Sequence, residues 1–153
     1  MKVAIASEHS GYYVKEELLE YIRDLGHEIH DLGAQSDEPT DYPYIAARLA
    51  KRVSKSEYEL GILICGTGIG MSIAASKIPG IRAAMCTDSF SAKMAREHND
   101  ANILCLGAWI TGKKINYEIV NAFLSSKMTE ERHIRRINLI REIEQKVLNN
   151  IDF

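Results

Sequence analysis

The segment GILICGTGIGMS, residues 61–72, joins an apolar run to a loop in which every second residue is glycine. Together with Leu60, the run up to Cys65 has the length and the Ile/Leu content of a strand buried on both faces. A strand of the core needs no thiol at its end, and a simple turn needs only one glycine. The segment therefore predicts a buried strand and raises the question of what its thiol and its three glycines do.

The rest of the chain repeats this alternation of short apolar runs and amphipathic helices. Strands that alternate with helices need crossover connections, which give a parallel sheet covered by helices on both faces. We therefore expect one domain over residues 1–153, a three-layer α/β/α sandwich with a five-stranded parallel, Rossmann-like sheet and a C-terminal helix. The predicted strands are 2–7, 27–32, 60–65, 81–86 and 102–106, and the predicted helices are 11–25, 44–53, 71–77, 89–97, 113–126 and 130–149.

Charge and composition argue against several classes of function. The net charge of −2, without a broad basic field, makes nucleic acid an unexpected partner. No apolar run approaches the ~20 residues that cross a bilayer, and the N-terminal MKVAIAS fits a first strand better than a signal peptide. The three cysteines form no CxxC pair, which is typical of reduced thiols in a cytoplasmic protein and lacks the close spacing of a zinc site. We expect no membrane partner and no metal.

Side chains that can do chemistry follow several of the predicted strands. Ligands of open parallel sheets bind at the carboxyl ends of the strands. Glu8 and His9 follow the first strand, and Cys65 ends the third. His98 and Asn99 precede the fifth strand, in a loop that we expect at the same edge. The two histidines are candidates for acid–base catalysis because imidazole titrates near neutral pH.

Cys65 has two interpretations that the pattern leaves open. Amide groups of the glycine loop and of the following helix start would stabilise a thiolate there. They would also stabilise the oxyanion that forms when a proton leaves a carbon next to a carbonyl group. A buried structural cysteine beside a tight turn fits the pattern equally well.

Arg132 and Arg136 also have two interpretations that the sequence leaves undecided. They are four residues apart on the predicted last helix, and therefore share one face of it. Two guanidinium groups so placed could clamp a phosphate, whereas a solvated face beside Glu130 is the alternative. The only tryptophan, Trp109, fits a core, an interface or a ligand-binding position.

Two other α/β functions fit less well. GTGIG resembles the dinucleotide fingerprint G-x-G-x-x-G, and Asp88 follows at the distance of a ribose-binding acid. The third glycine comes one residue early, however, and the loop follows the third strand instead of the first. A phosphate-receiver domain would need an aspartate where the third strand ends in Cys65.

Six motifs along the whole chain are similar to those of the B-type ribose-5-phosphate isomerase family, which includes allose- and galactose-6-phosphate isomerases. They are SEHSG at 7–11, TDYP at 40–43, ICGTGIGMSIAASK at 64–77, GIRAA at 80–84, REHNDAN at 96–102 and RHIRRI at 132–137.

The resemblance implies interconversion of ribose 5-phosphate and ribulose 5-phosphate through a cis-enediolate, without metal or cofactor. By their motifs, Cys65 resembles the base that removes the C2 proton, with Thr67 beside it, and His98 the acid that opens the sugar ring. The implied substrate-binding residues are Glu8, His9, Tyr42, Asn99, the anion hole of Gly66, Thr67, Gly68, Ile69 and Gly70, and the phosphate ligands Arg132 and Arg136. The resemblance also implies a homodimer or homotetramer in which the neighbouring subunit completes the phosphate end of the site.

Two positions depart from the family pattern. Glu8 stands where an aspartate is usual, and Trp109 stands where an arginine that helps to hold the substrate is usual. Either change could weaken binding or alter the preferred sugar length. An isomerase of a 6-phosphohexose (allose or galactose 6-phosphate) and a non-catalytic sugar-phosphate-binding protein are therefore the alternatives, and a nicotinamide-dependent oxidoreductase is the rival from another class.

Overall fold

A computed structural model of the chain, described for residues 1–152, contains one sheet of five parallel strands in the order β2-β1-β3-β5-β4. The strands are β1 (Lys2–Ser7), β2 (Glu28–Asp31), β3 (Leu60–Cys65), β4 (Ala83–Met85) and β5 (Ile103–Gly107). The helices are α1 (Tyr12–Asp24), α2 (Tyr42–Ser54), α3 (Ile69–Ala75), α4 (Ser89–Asn99), α5 (Lys113–Ser125) and α6 (Glu131–Leu148). This confirms the predicted three-layer α/β/α architecture.

Two apolar clusters, one on each face of the sheet, form the core. Helices α1, α4 and α5 pack on one face, where Ile5, Ile62 and Phe123 are fully buried. Helices α2 and α3 pack on the other face with Leu63 and Met71. Every residue of β3 is buried, which explains its uninterrupted apolar sequence.

The boundaries of several elements differ from the prediction for identifiable reasons. Helix α2 begins at Tyr42, two residues earlier than predicted, because Pro43 is favoured in the first turn of a helix. Helix α4 extends to Asn99 and ends where Asp100 adopts a left-handed conformation with φ of +45°. Strand β4 has only three residues, since it lies at the edge of the sheet and pairs with β5 alone.

The last helix, α6, lies outside the two core clusters. The helical spacing of Ile134, Ile137, Ile140, Ile143 and Val147 predicts that this side packs inward, but only Ile137 is buried. Ile134, Ile140, Ile143 and Val147 are exposed by 41% to 59%, so the prediction was wrong for the isolated chain. Its polar contacts with the rest of the chain include the Glu144 carboxylate, which accepts the Gly80 amide at 2.9 Å, and Arg141, which lies 4.0 Å from Asp100. Within residues 1–152, no helix is both long and apolar enough to span a bilayer.

The strand order places a cleft beside the glycine loop. The chain leaves β1 towards β2 at one side of the sheet, and it leaves β3 towards β4 and β5 at the other side. Between β1 and β3 the connections diverge, and an open α/β sheet binds its ligands at such a switch point. Glu8 and Cys65 are the residues at this point, since the Glu8 amide bonds the carbonyl of Ile64 at 3.2 Å.

A fully buried lysine ties α1 to the loop that approaches this cleft. Lys15 has 0% exposure, and its Nζ lies 2.5 Å from Asp31 Oδ2 and 2.9 Å from the Ala34 carbonyl oxygen. Asp31 in turn accepts the Gly33 amide at 2.9 Å. An ammonium group without water needs these partners, so Lys15 fixes the path of residues 31–34.

Replacement of this lysine is expected to destabilise the fold. Lys15→Met should lower the free energy of unfolding by about 3 kcal/mol, because Asp31 and the Ala34 carbonyl lose a buried partner. Glu16→Gln is the matched control: Glu16 contacts the same nitrogen at 3.2 Å but is 48% exposed, so the change should be below about 1 kcal/mol. Urea denaturation measures both. Equal effects of the two substitutions would contradict the role given to the buried pair.

Candidate active site

A cavity of about 530 Å³ opens at the carboxyl edge of the sheet, above the switch point between β1 and β3. Its walls come from four parts of the chain. Glu8, His9 and Ser10 follow β1, Tyr42 begins α2, the glycine loop with Cys65 follows β3, and Trp109 follows β5. The structure thus brings together most of the site residues predicted from the sequence, including Gly66, Thr67, Ile69 and Gly70.

Cys65 presents its sulfur to the floor of this cavity. Its backbone is fixed in the sheet by pairing with Gly107, and the amide of Ala108 donates to its carbonyl at 2.8 Å. The Gly68 amide donates to Sγ at 3.2 Å. This bond needs the left-handed backbone of Gly68, with φ of +79°, which a residue with a side chain rarely adopts. The loop therefore gives the sulfur a backbone hydrogen-bond donor.

Thr67 and the start of α3 complete the loop above the sulfur. Thr67 Oγ1 accepts the Ile69 amide at 3.4 Å. The first four amide groups of a helix have no partner within it. The amide of Gly70, in the first turn of α3 and on the cavity wall, is therefore available as a donor to an anionic group beside Cys65.

Glu8 and His9 form a pair on the opposite wall. The Glu8 side chain is buried, accepts the Ser10 amide at 3.0 Å and lies 2.5 Å from Nδ1 of His9. The Thr40 amide points at the same nitrogen from 3.4 Å, but the nearer carboxylate decides that Nδ1 carries the proton. His9 Nε2 is then the ring atom left for a ligand. The Glu8 carboxylate thus orients the His9 ring.

Two aromatic rings enclose the glycine loop. A Cβ at Gly70 would lie 2.8 Å from the Tyr42 ring, and a Cβ at Gly66 would lie 2.6 Å from the Trp109 indole. Trp109 also donates its amide to the Gly66 carbonyl at 3.0 Å. Its side chain is 73% exposed, and it therefore gives the cavity an apolar wall open to solvent.

His98 and Asn99 do not lie at this edge, and the prediction that they would do so was wrong. They form the last turn of α4, whose carbonyl at Asn99 accepts a hydrogen bond from Arg82 Nε at 3.0 Å. Arg82 directly precedes β4, so this is the amino edge of the sheet. A helix that follows a parallel strand runs back along it and ends at the opposite edge.

A second group of polar side chains surrounds His98. Its ring stacks on the ring of His133, with centroids 4.1 Å apart and planes inclined by 17°. Burial, and then the positive charges of His98, Arg132 and Arg136, lower the pKa of His133. The predicted phosphate ligands, Arg132 and Arg136, therefore lie on the same side of the molecule as His98. None of these three residues lines the cavity of Cys65. Arg132 is exposed and bonds Glu130 at 2.6 Å.

The other two thiols are placed differently from Cys65. Cys105 lies in the middle of β5, where burial raises its pKa well above the ordinary value, and burial also raises the pKa of Cys86. Neither of them lines the cavity. Among residues 1–152, no three His, Cys, Asp or Glu side chains are grouped in a way that could hold a metal ion.

These features define an α/β protein with a thiol beneath backbone amides, at the switch point of a parallel sheet. The sequence model of the ribose/galactose isomerase family matches residues 3–140. The ribose-5-phosphate isomerase B of Escherichia coli is 41% identical over 95% of this chain and 97% of its own length. The chain therefore belongs to the ribose/galactose isomerase family, which confirms the resemblance seen in its motifs.

Solved structures agree with this assignment. The ribose-5-phosphate isomerase B of Clostridium thermocellum superposes with a TM-score of 0.93 at 46% identity, over 96% of this chain and 99% of that one. The ribose-5-phosphate isomerase B of Mycoplasma genitalium, solved with bound ribulose 5-phosphate, has a TM-score of 0.89 at 38% identity. It matches over 94% of this chain and 96% of its own.

The environments of the three cysteines predict selective alkylation. Iodoacetamide should modify Cys65 first in the native protein, because Cys65, although buried, lines the cavity, whereas Cys86 and Cys105 lie outside it and burial raises their pKa values. Peptide mass spectrometry after a short reaction identifies the modified residue. Unfolding in urea before labelling should equalise all three, and native labelling of Cys105 ahead of Cys65 would contradict the assignment.

Proposed function

We propose that this chain is an aldose–ketose isomerase that interconverts D-ribose 5-phosphate and D-ribulose 5-phosphate. The observation that carries the proposal is the Cys65 sulfur at the floor of a cavity, beneath a loop of backbone amides. The family assignment supports it, as does the ribulose 5-phosphate bound to the Mycoplasma genitalium relative.

The isomerisation requires one group to move a proton between two neighbouring carbons of the sugar. In the open-chain aldose, the Cys65 thiolate removes the proton from C2, and the electrons of that bond form the cis-enediolate. The proton of the C2 hydroxyl passes to the C1 oxygen, Cys65 returns the first proton to C1, and the C2 oxygen becomes the ketone. The Gly70 amide, on the cavity wall, stabilises the negative charge that develops on the oxygens. A sulfur already bonded to the Gly68 amide is suited to act as base in this position.

The Glu8–His9 pair supports the sugar at the other wall. With Nδ1 held by Glu8, His9 Nε2 can accept a hydrogen bond from a sugar hydroxyl. Tyr42 and Trp109 bound the cavity on either side of the glycine loop. The volume of about 530 Å³ is in the ordinary range for a small-molecule site.

Within residues 1–152 of one chain, the cavity has neither a cationic phosphate ligand nor His98 as an acid for ring opening. In that described part of the chain, lysine and arginine are absent from the cavity walls, and Arg132, Arg136 and His98 lie at the opposite edge of the sheet. We infer that a second copy of the chain supplies them. In that assembly, Arg132 and Arg136 of the partner subunit bind the phosphate and the partner's Asn99 contacts a sugar hydroxyl. The partner's His98 donates the proton that opens the furanose ring.

Exposed apolar surface supports this assembly. Ile69, Ile73 and Trp109 are exposed by 49% to 73% at the rim of the cavity. The apolar stripe of α6, which begins one residue after His133, is exposed over several turns. Burial of these two surfaces against each other would remove both from water and bring the amino-edge residues to the cavity of the partner.

Loss of the thiol tests the chemical assignment. Cys65→Ala should lower turnover of ribose 5-phosphate by about 10²- to 10⁴-fold, the usual contribution of a general base. Binding should remain, so ribose 5-phosphate should still raise the melting temperature of the variant. Cys86→Ala, which alters a thiol outside the cavity, is the matched control and should keep its activity. Full turnover by Cys65→Ala would exclude Cys65 as the base.

The same assay separates the alternative functions. Ribose 5-phosphate is expected to be turned over faster than allose 6-phosphate or galactose 6-phosphate. Faster turnover of a phosphohexose would change the assigned substrate but not the assigned class of reaction. Binding of ribose 5-phosphate without turnover by the unaltered protein would favour a non-catalytic sugar-phosphate-binding protein, and a thermal shift with NAD would favour an oxidoreductase.

Complementation between two inactive variants tests whether the site is shared. Cys65→Ala and His98→Ala should each be inactive in the ring-opening direction. After mixing under conditions that exchange subunits, each mixed dimer contains one site with an intact Cys65 and an intact His98. Activity should then return to about one quarter of the wild-type value for random pairing. A mixture that stays as inactive as its components, with subunit exchange shown by native mass spectrometry, would place both residues in one chain's site.

A further inference from the structure

His133 is a buried titratable group to which neither the motifs nor the mechanism above gives a role. It lies in the first turns of α6 and has only 4% exposure, whereas His98, on which it stacks, is half-buried. Of the two rings, only His98 can meet a ligand. The centroid distance of 4.1 Å and the angle of 17° correspond to face-to-face contact of the imidazoles.

Within residues 1–152, the surroundings of His133 offer no hydrogen-bond partner to its Nε2 atom. Among the described residues, Nε2 is buried without a hydrogen-bond partner, and the Glu130 carboxylate oxygen is 3.8 Å away. A proton on this nitrogen would be a buried charge without a hydrogen bond, which is strongly unfavourable. The charged groups that act on the ring are His98 from α4, and Arg132, Arg136 and Glu130 from α6 and its N-cap.

Burial lowers the pKa of His133, and the neighbouring positive charges lower it further. Glu130 opposes this effect, but burial is the largest cause. Together with the unpartnered Nε2, this favours the neutral form of the buried His133 ring. Of the two stacked rings, His98 is the one that reaches the surface.

We propose that His133 is a positioning residue for His98, whose imidazole it holds in one plane as a neutral, buried support. The His98 side chain projects from the last turn of α4, one residue before Asn99, and such a position leaves a side chain free to change rotamer. The His133 ring covers one face of His98 and restricts that freedom. This inference rests on the proposed function, in which His98 opens the sugar ring.

The test separates ring opening from proton transfer. Ribulose 5-phosphate is an open-chain ketose, because its O5 carries the phosphate and cannot close a furanose. Exchange of its C1 proton with D₂O therefore needs Cys65 but not the ring-opening acid, and proton NMR follows it directly. Turnover of ribose 5-phosphate needs both groups.

For His133→Ala we expect turnover of ribose 5-phosphate to fall about 10- to 100-fold, the effect of a misplaced catalytic group, with the C1 exchange rate retained. His133→Phe keeps a flat ring against His98 without a titratable nitrogen, and should restore most of the turnover. The double variant with His98→Ala should be no slower than His98→Ala alone, because the two residues act through one step. If His133→Ala does not fold, His133→Asn, which keeps a polar group but no ring, takes its place.

Several outcomes would overturn the inference. An equal loss of turnover and of C1 exchange in His133→Ala would show a general structural role. Failure of His133→Phe to restore turnover would show that the imidazole, and not its ring plane, is required. Full turnover by His98→Ala would instead remove His98 from the proposed mechanism, so failure of the proposed function is recognised separately.

Discussion

The shared direction of the five strands is the constraint on which the position of every functional group depends. Because all the strands run parallel, the carboxyl ends of β1 and β3 lie at one edge, and Glu8 and Cys65 become neighbours through a single backbone hydrogen bond. The same constraint sends each helix back to the other edge. His98, at the end of α4, is therefore separated from Cys65 by the length of the sheet.

The distribution of groups within one chain follows from this geometry. The carboxyl edge holds a thiol, amide donors and a histidine paired with a carboxylate. The amino edge holds stacked imidazoles and arginines. The first set suits proton abstraction and the second suits acid catalysis and phosphate binding. In the proposed assembly, two facing copies would bring the two sets together, and the exposed apolar stripe of α6 would be covered in the same contact.

Much of the fold could be predicted from the sequence because local patterns determine it. The apolar run 60–65, the helical spacing of 11–25 and the glycines of the loop are each read within a few residues, and the structure confirms the elements that they predict. The strand-end rule also found Glu8, His9 and Cys65. It does not apply to His98, because a residue at the end of a crossover helix, just before the next parallel strand, lies at the amino edge of the sheet. The prediction that the apolar side of α6 packs inward also failed, because helical periodicity shows that a face is apolar but not which molecule covers it. The stacking of His98 on His133 joins residues that are far apart in sequence and leaves no local signal.

The rings of Trp109 and Tyr42 lie so close to Gly66 and Gly70 that they restrict which side chains fit at these two loop positions. With Trp109 present, a methyl group at Gly66 would lie 2.6 Å from the indole, and with Tyr42 present, one at Gly70 would lie 2.8 Å from the phenol. A side chain at 66 would therefore have to displace the exposed Trp109 ring from its place over the loop. The apolar wall of the cavity thus depends on the absence of a side chain at residue 66.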